Sequence, residues 1–254
     1  MELIKLKDDR YADYENLLIR RDSLKADGEQ YYMKYLSLFG DLINDVFRMK
    51  IECISKKKKI AYCQARVNRN EAINAAELEN YIQTVMAEYY IRLDEMISDT
   101  ATAKSAVPIS YFDSKRIKEI YRELAKMIHP DRRPDLSEDE TIRELWNQIS
   151  FAYRCSNLKD LEELKFRTEA YLRTLGDENV EIEIPDLDEK IAQVLKEIDQ
   201  ILTSFPYQYR FIIDDENEIK TKKQELEDEL KSYEDYSRQL DQILNQFNLQ
   251  RIAS

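Results

Sequence analysis

The sequence predicts an all-α fold, and two features of it carry this prediction. Only 3 Gly and 5 Pro occur in 254 residues, whereas sheet-rich folds need turn residues every few positions. Apolar residues also recur at alternating steps of three and four along several long segments, which is the period of a helical seam. We therefore expect long helices joined by few turns.

Residues 1–107 contain no proline and are predicted to form a helical, coiled-coil-like arm. A short apolar series from Tyr11 to Leu18 precedes Gly28, where we expect a break or a kink. The seam that follows consists of Tyr32, Tyr35, Phe39, Leu42, Val46, Met49, Cys53, Ile60, Cys63 and Val67. A turn near residues 69–74 should then fold a second helix back antiparallel onto this seam.

The second helix of the arm carries apolar residues from Leu78 to Ile97, and residues 101–108 read as a linker. The seam helix also bears a second apolar stripe, more than one antiparallel neighbour should cover. This stripe consists of Leu36, Ile43, Phe47 and Ile54. We therefore expect the arm to bind another helical surface, either a second copy in a homo-oligomer or an unknown protein client.

Residues 177–254 are predicted to form a self-contained acidic helical hairpin. They carry 9 basic and 20 acidic side chains, and seams at 187–205 and 219–247 meet at the Phe205-Pro206-Tyr207 corner. The alternation of Val180, Ile182 and Ile184 reads as an extended linker rather than as a strand.

Charge and composition restrict the classes of function. The net charge of −12 and the acidic tail argue against nucleic-acid binding, because phosphate contacts need a basic surface. No stretch of about 18 uncharged apolar residues exists, so we expect no membrane span. Three cysteines without a C-x-x-C pair favour a reducing, cytoplasmic location, and we expect no metal site and no cofactor.

Residues 108–176 contain the sequence pattern that bears on function. His129 is the only histidine of the chain and begins the tripeptide His129-Pro130-Asp131. Pro130 must end the preceding helix near His129. The apolar face of that helix carries Ile117, Tyr121, Leu124 and Ile128, and its other face carries Lys115, Lys118, Arg122 and Lys126. A following helix with Leu145, Trp146, Ile149, Ala152 and Tyr153 should pack antiparallel onto it.

These residues resemble the J-domain of DnaJ-like co-chaperones over about residues 111–165. The resemblance rests on Tyr121-Arg122-Glu123-Leu124-Ala125, on the His-Pro-Asp tripeptide, and on Trp146, Ile149 and Ala152-Tyr153. The usual Tyr-Tyr-x-x-Leu-Gly-Val opening and the usual fourth-helix motif are absent, as are a Gly/Phe-rich region and a zinc module. The flanks are similar to those of a divergent bacterial subset.

The resemblance implies a non-enzymatic protein that stimulates the ATPase of a DnaK-type chaperone. In this family the basic helix docks on the acidic surface of the ATPase domain, and the exposed His-Pro-Asp loop favours the state competent for hydrolysis. In this chain, the resemblance implies that the docking residues are Lys115, Lys118, Arg122 and Lys126, with Arg132 adding charge. It implies that His129, Pro130 and Asp131 trigger ATP hydrolysis by the chaperone.

Other interpretations stay open. His129 could be a metal ligand or a general base, although the chain has no second histidine and no clustered cysteines. It could also be a helix-end residue, and the basic stripe could be a solvated helix face. The chief functional alternative is a coiled-coil scaffold or adaptor whose J-like domain is vestigial. An enzyme with unfamiliar chemistry ranks third.

Overall fold

In the computed structural model, the described residues are 2–105, 110–176 and 186–250, and no strand occurs among them. The helices are α1 (Glu2–Asn68), α2 (Ala75–Ser105), α3 (Tyr111–Ile128), α4 (Glu140–Arg154), α5 (Leu158–Thr174), α6 (Leu187–Thr203), α7 (Arg210–Ile213) and α8 (Glu216–Gln250). Short 3-10 turns lie at Pro134–Leu136 and Tyr207–Tyr209. The all-α prediction is confirmed for this part of the chain, whereas the segment with Val180, Ile182 and Ile184 lies outside it.

Side chains at the helix starts explain where several helices begin. Asn74 accepts a hydrogen bond from the backbone N–H of Ala76, and Ser110 accepts one from the N–H of Asp113. Asp139 and Asn157 do the same for the N–H groups of Ile142 and Asp160. Each contact satisfies a backbone donor that has no partner inside the helix.

The chain groups into two compact units, each made from two separate stretches. The first unit consists of Met1–Tyr32 and Val107–Arg210, and the second consists of Met33–Ala106 and Phe211–Ser254. This grouping differs from the three consecutive segments expected at 1–107, 108–176 and 177–254. The expected N-terminal arm is divided between the units, and so are the two helices of the expected C-terminal hairpin.

The expected break at Gly28 is wrong, because α1 continues through this residue. A Cβ atom at Gly28 would lie 3.3 Å from Pro206 Cγ and 3.4 Å from the backbone nitrogen of Tyr207. The absent side chain therefore lets another backbone approach the helix closely. A glycine that serves close approach looks the same in a sequence as one that ends a helix.

In the second unit, α1 and α2 form the expected antiparallel hairpin. Asn44 donates a hydrogen bond to Thr100 Oγ1 at 3.0 Å, and further along α1 Arg66 pairs with Glu77 at 2.8 Å. The connection between the helices spans residues 69–74, as expected. The expected linker at 101–108 is wrong for residues 101–105, since α2 continues to Ser105.

The seams of α6 and α8, which were expected to pair with each other, both contact α1 in the described residues. Val194 and Ile198 of α6 form an apolar cluster with Tyr14 and Leu18 in the first unit. In the second unit, Lys56 donates to Ser237 Oγ of α8 at 2.7 Å. Heptad seams predict that a helix has a partner but do not identify that partner.

The second apolar stripe of the arm is covered within the chain. Phe47 and Ile54 pack against a buried cluster that includes Ile82 and Met86 of α2. Leu36 is buried, and Ile43 is half-buried. These four residues therefore give no reason to expect a second copy of the chain.

Gly40 provides a test of how closely α1 and α2 pack. A Cβ atom at this position would lie 2.5 Å from both Thr100 Oγ1 and Thr100 Cγ2. We expect Gly40→Ala to lower the free energy of unfolding by about 2 kcal/mol, because overpacking outweighs the gain in helix propensity. Urea unfolding followed by circular dichroism would measure this change. In a Thr100→Ala background, which already lacks the hydrogen bond from Asn44, Gly40→Ala should lower the free energy of unfolding much less. An equal loss in both backgrounds would contradict this explanation.

Candidate functional site

Helices α3, α4 and α5 of the first unit surround a common apolar core. The rings of Tyr121 and Tyr153 stack with centroids 3.8 Å apart, and His129 lies edge-on to Trp146 at 4.6 Å, so α3 and α4 run antiparallel. The buried residues from these helices are Ile117, Ile120, Tyr121, Leu124, Ala125, Ile128, Ile142, Leu145, Ile149, Ala152, Tyr153, Leu161 and Leu164. The apolar face expected for residues 117–128 and the antiparallel packing of α3 and α4 are thus observed.

Helix α5 lies against the other two helices through polar contacts as well. Tyr171 donates a hydrogen bond to Asp139 Oδ2 at 2.9 Å, which connects the end of α5 to the start of α4. Lys165 pairs with Glu123 of α3. These contacts fix the two ends of the loop that carries His129 by fixing the helices on either side of it.

His129 ends α3, as Pro130 requires, but it is buried rather than exposed. Only 3% of the residue is accessible to solvent. Its Nδ1 atom accepts a hydrogen bond from the backbone N–H of Asp131 at 3.1 Å, so the ring proton belongs on Nε2. The expectation of an exposed histidine is therefore wrong, because a sequence cannot show which other helix covers a loop.

The residue that covers His129 is Asp22 of α1. Its Oδ2 atom lies 3.3 Å from His129 Nε2 and accepts a hydrogen bond from the Tyr121 hydroxyl at 2.7 Å. Burial by itself would raise the pKa of Asp22, but the hydrogen bond from His129 and the charge of Arg21 outweigh it and lower this pKa to about 2. Burial and the neighbouring Asp22 carboxylate raise the pKa of Tyr121.

Arg21 of α1 forms an ion pair with Asp131, the aspartate of the tripeptide. Its Nη1 atom lies 3.3 Å from Asp131 Oδ2 and also 3.3 Å from Glu197 Oε2 of α6. Its Nε atom donates to Asp22 at 2.9 Å. Only 12% of the Arg21 side chain is exposed, whereas 46% of the Asp131 side chain is. A partner that binds Asp131 through a cation would thus compete with Arg21.

Three of the predicted docking residues are also paired with acidic residues of α1. Lys126 Nζ lies 3.1 Å from Glu15, and Arg132 Nε lies 2.9 Å from the other oxygen of the same carboxylate. Lys118 Nζ lies 3.4 Å from Asp27. We call Glu15, Asp22 and Asp27 the acidic cover. The structure thus brings Lys118, Lys126, His129, Asp131 and Arg132 together beneath one helix.

The remaining predicted residues are placed differently. Lys115 and Arg122 are exposed on α3, and Lys115 makes only a long 4.0 Å pair with Glu119 of the same helix. Pro130 is half-buried in the turn. Among the described residues, the expected docking residues therefore divide into two that form no ion pair with α1, Lys115 and Arg122, and three that do. Of those three, Lys118 and Lys126 keep 49% and 52% of their side chains exposed.

Arg133, the residue after Arg132, has a structural role. It is 7% exposed, makes a bidentate pair with Asp135, and donates to the carbonyl oxygen of Met127 at 3.3 Å. That carbonyl belongs to the last turn of α3, where carbonyl groups have no partner within the helix. Arg133 thus stabilises the end of the helix that presents His129.

Sequence reasoning missed Glu15, Arg21, Asp22 and Asp27. One signal was present: Glu15 and Asp22 are seven residues apart and so lie on one helix face, at the spacing that a long helical contact repeats. A basic helix elsewhere in the chain is a plausible complement for such a face. The assignment needed the tertiary contact, since other acidic pairs with this spacing occur in the chain.

Within residues 2–105, 110–176 and 186–250, no group of three or more His, Cys, Asp or Glu side chains is arranged to hold a metal ion. None of the helices described there is long and apolar enough to cross a membrane. No protein-family model matches the chain, and no curated protein or solved structure matches it.

Proposed function

We propose that this protein is a co-chaperone that stimulates the ATPase of a DnaK-type chaperone through α3 and the His129-Pro130-Asp131 turn. The observation that carries the proposal is the arrangement of that turn. It joins two antiparallel helices with a shared apolar core, and basic side chains surround it. The sequence resemblance supplies the class of partner.

The chemistry of the turn supports a binding role. Its charged groups are paired with one another or with other side chains, and His129 has no second histidine or cysteine beside it that would complete a metal site in the described residues. An effector of this kind acts by binding one conformational state of its partner more tightly than another. Such an effect needs complementary charge and shape but no reacting group.

Docking is expected to depend on the exposed part of the basic face. Arg122→Glu should weaken binding of the chaperone ATPase domain by about tenfold, because reversing an exposed interfacial charge mainly lowers the association rate. Surface plasmon resonance at two salt concentrations would measure this loss, which should shrink as salt screens the charges. Lys159→Glu, an exposed residue of α5 with the same charge change, is the matched control. Equal losses in both variants would contradict docking through α3.

The proposal itself is tested by single-turnover ATP hydrolysis with a panel of DnaK-type chaperones. The full chain should accelerate hydrolysis by at least one of them, and the Arg122→Glu variant should need a higher concentration for the same effect. Absence of stimulation by every chaperone, at concentrations well above those at which J-domains act, would refute the co-chaperone function.

A second candidate is an adaptor in which the J-like helices are only structural. The burial of His129 against Asp22 and Trp146 favours it, because a buried histidine cannot touch a partner. Under this hypothesis Arg122→Glu changes no binding to any chaperone. The helical surfaces of the chain, rather than the tripeptide, would then select the protein client.

A further inference from the structure

The contacts of α1 with the tripeptide have a consequence for regulation. We propose that the acidic cover of α1 is an autoinhibitory element: it holds His129 and the surrounding cations in a closed state that a chaperone cannot bind. This inference rests on the proposed co-chaperone function, since it assigns a regulated state to the same site.

The first argument is that the cover and a chaperone would use the same side chains. Glu15 pairs with Lys126 and Arg132, Asp27 pairs with Lys118, and Asp22 contacts His129. Arg21 takes Asp131. An acidic partner surface needs those same cations, so binding of α1 and binding of the partner exclude each other. The intramolecular helix has the advantage of a high effective concentration.

The second argument concerns whether α1 separates more easily from α3 and α4 or from α6. Toward α3 and α4, α1 contributes Ile19 and Ala26 to the buried core, and its other described contacts there are largely ion pairs and hydrogen bonds. Toward α6 it presents an apolar cluster with Tyr14, Leu18, Val194 and Ile198. Contacts rich in polar groups resemble interfaces that open, whereas apolar ones resemble permanent cores. We therefore infer that α1 and α6 move together, away from α3.

The third argument concerns the fraction of molecules in which α1 has left the site. If the closed state dominates, the observed affinity for the chaperone equals the intrinsic affinity reduced by the open fraction. Weakening the ion pairs of the cover raises that fraction without touching α3. The stimulation at low concentration then rises, up to the point at which most molecules are open.

The releasing variant is Glu15→Lys with Asp27→Lys, which places cations opposite Lys118, Lys126 and Arg132. The matched control is Asp13→Lys with Glu29→Lys, because these two acids are exposed on the same helix and give the same net charge. Glu15→Gln with Asp27→Asn is a milder releasing pair for use if the reversals unfold the protein. Circular dichroism shows whether each variant keeps its helices.

Opening is measured without any chaperone through Trp146, the only tryptophan of the chain. It lies against His129, whose Nε2 atom is covered by Asp22 of α1, so removal of α1 should expose this pair and raise quenching of its fluorescence by acrylamide, a neutral quencher. The releasing variant should show greater quenching than the control variant and the wild type. It should also stimulate chaperone ATP hydrolysis about tenfold more at subsaturating concentration.

The outcomes separate this inference from the proposed function. Equal quenching in the folded releasing variant, the control and the wild type would overturn the inference, as would equal ATPase stimulation by all three. In the latter case the co-chaperone function stands and the cover is merely structural. Increased quenching with no stimulation by any variant would refute the co-chaperone function and the autoinhibition with it.

Discussion

Asp131→Asn is expected to abolish ATPase stimulation while leaving the fold intact. The substitution removes the negative charge of the tripeptide but keeps its shape, and the Asp131 side chain is 46% exposed. His129→Gln is a poorer probe, because His129 is buried and hydrogen-bonded to two neighbours, so its replacement also removes packing. The isosteric change at Asp131 separates function from stability.

The measurement is single-turnover hydrolysis with a chaperone that responds to the wild type, made with and without the releasing substitutions at Glu15 and Asp27. Stimulation should fall more than tenfold in both backgrounds. Glu138→Gln, another exposed carboxylate in the connection between α3 and α4, should retain full stimulation. If Asp131→Asn stimulates as well as the wild type, the tripeptide does not act as the trigger.

Asp22→Ala is expected to destabilise the first unit by about 3 kcal/mol at pH 7. The change leaves His129 Nε2, Arg21 and the Tyr121 hydroxyl without their shared acceptor in a buried site. Urea unfolding followed by Trp146 fluorescence would report on this unit. Asp13→Ala, an exposed acid on the same helix, should cost less than about 0.5 kcal/mol.

The loss at Asp22 should also depend on pH in a defined direction. Its pKa of about 2 in the folded protein lies below the ordinary value of 3.8, so the folded state favours the ionised carboxylate. The resulting stabilisation is fully present above about pH 4 and disappears as the pH falls toward 2. The difference in unfolding free energy between the wild type and Asp22→Ala should therefore narrow by roughly 2 kcal/mol over that range. A difference that stays constant would show that Asp22 stabilises the unit without its charge.

Local sequence patterns were reliable wherever the answer depended on neighbouring residues. The end of α3 follows from Pro130, and the face with Ile117 and Leu124 follows from helical spacing. The turn at residues 69–74 follows from the interruption of the apolar series between Val67 and Leu78. Each of these features is set within a few residues of chain, so the sequence contains the information.

The same patterns failed wherever the answer depended on a distant partner. Gly28 was expected to break a helix, yet it lies inside α1, where the absence of a side chain lets Pro206 approach closely. The seam at 187–205 was expected to pack on the next helix, and the partner that the sequence did not identify is α1, where Val194 packs on Leu18. An apolar stripe encodes the need for burial but not the identity of the surface that buries it.

The sequence by itself determined that the chain is helical, that a helix ends at His129, and that cations line the helix before it. Only the tertiary structure decided that His129 is covered, because the Asp22 that covers it lies 107 residues earlier in the chain. Helical period and proline act over one or two turns, whereas ion pairs between helices depend on which faces meet. Whether the tripeptide is open or closed therefore depends on α1, and the charges at Glu15, Asp22 and Asp27 favour the closed state.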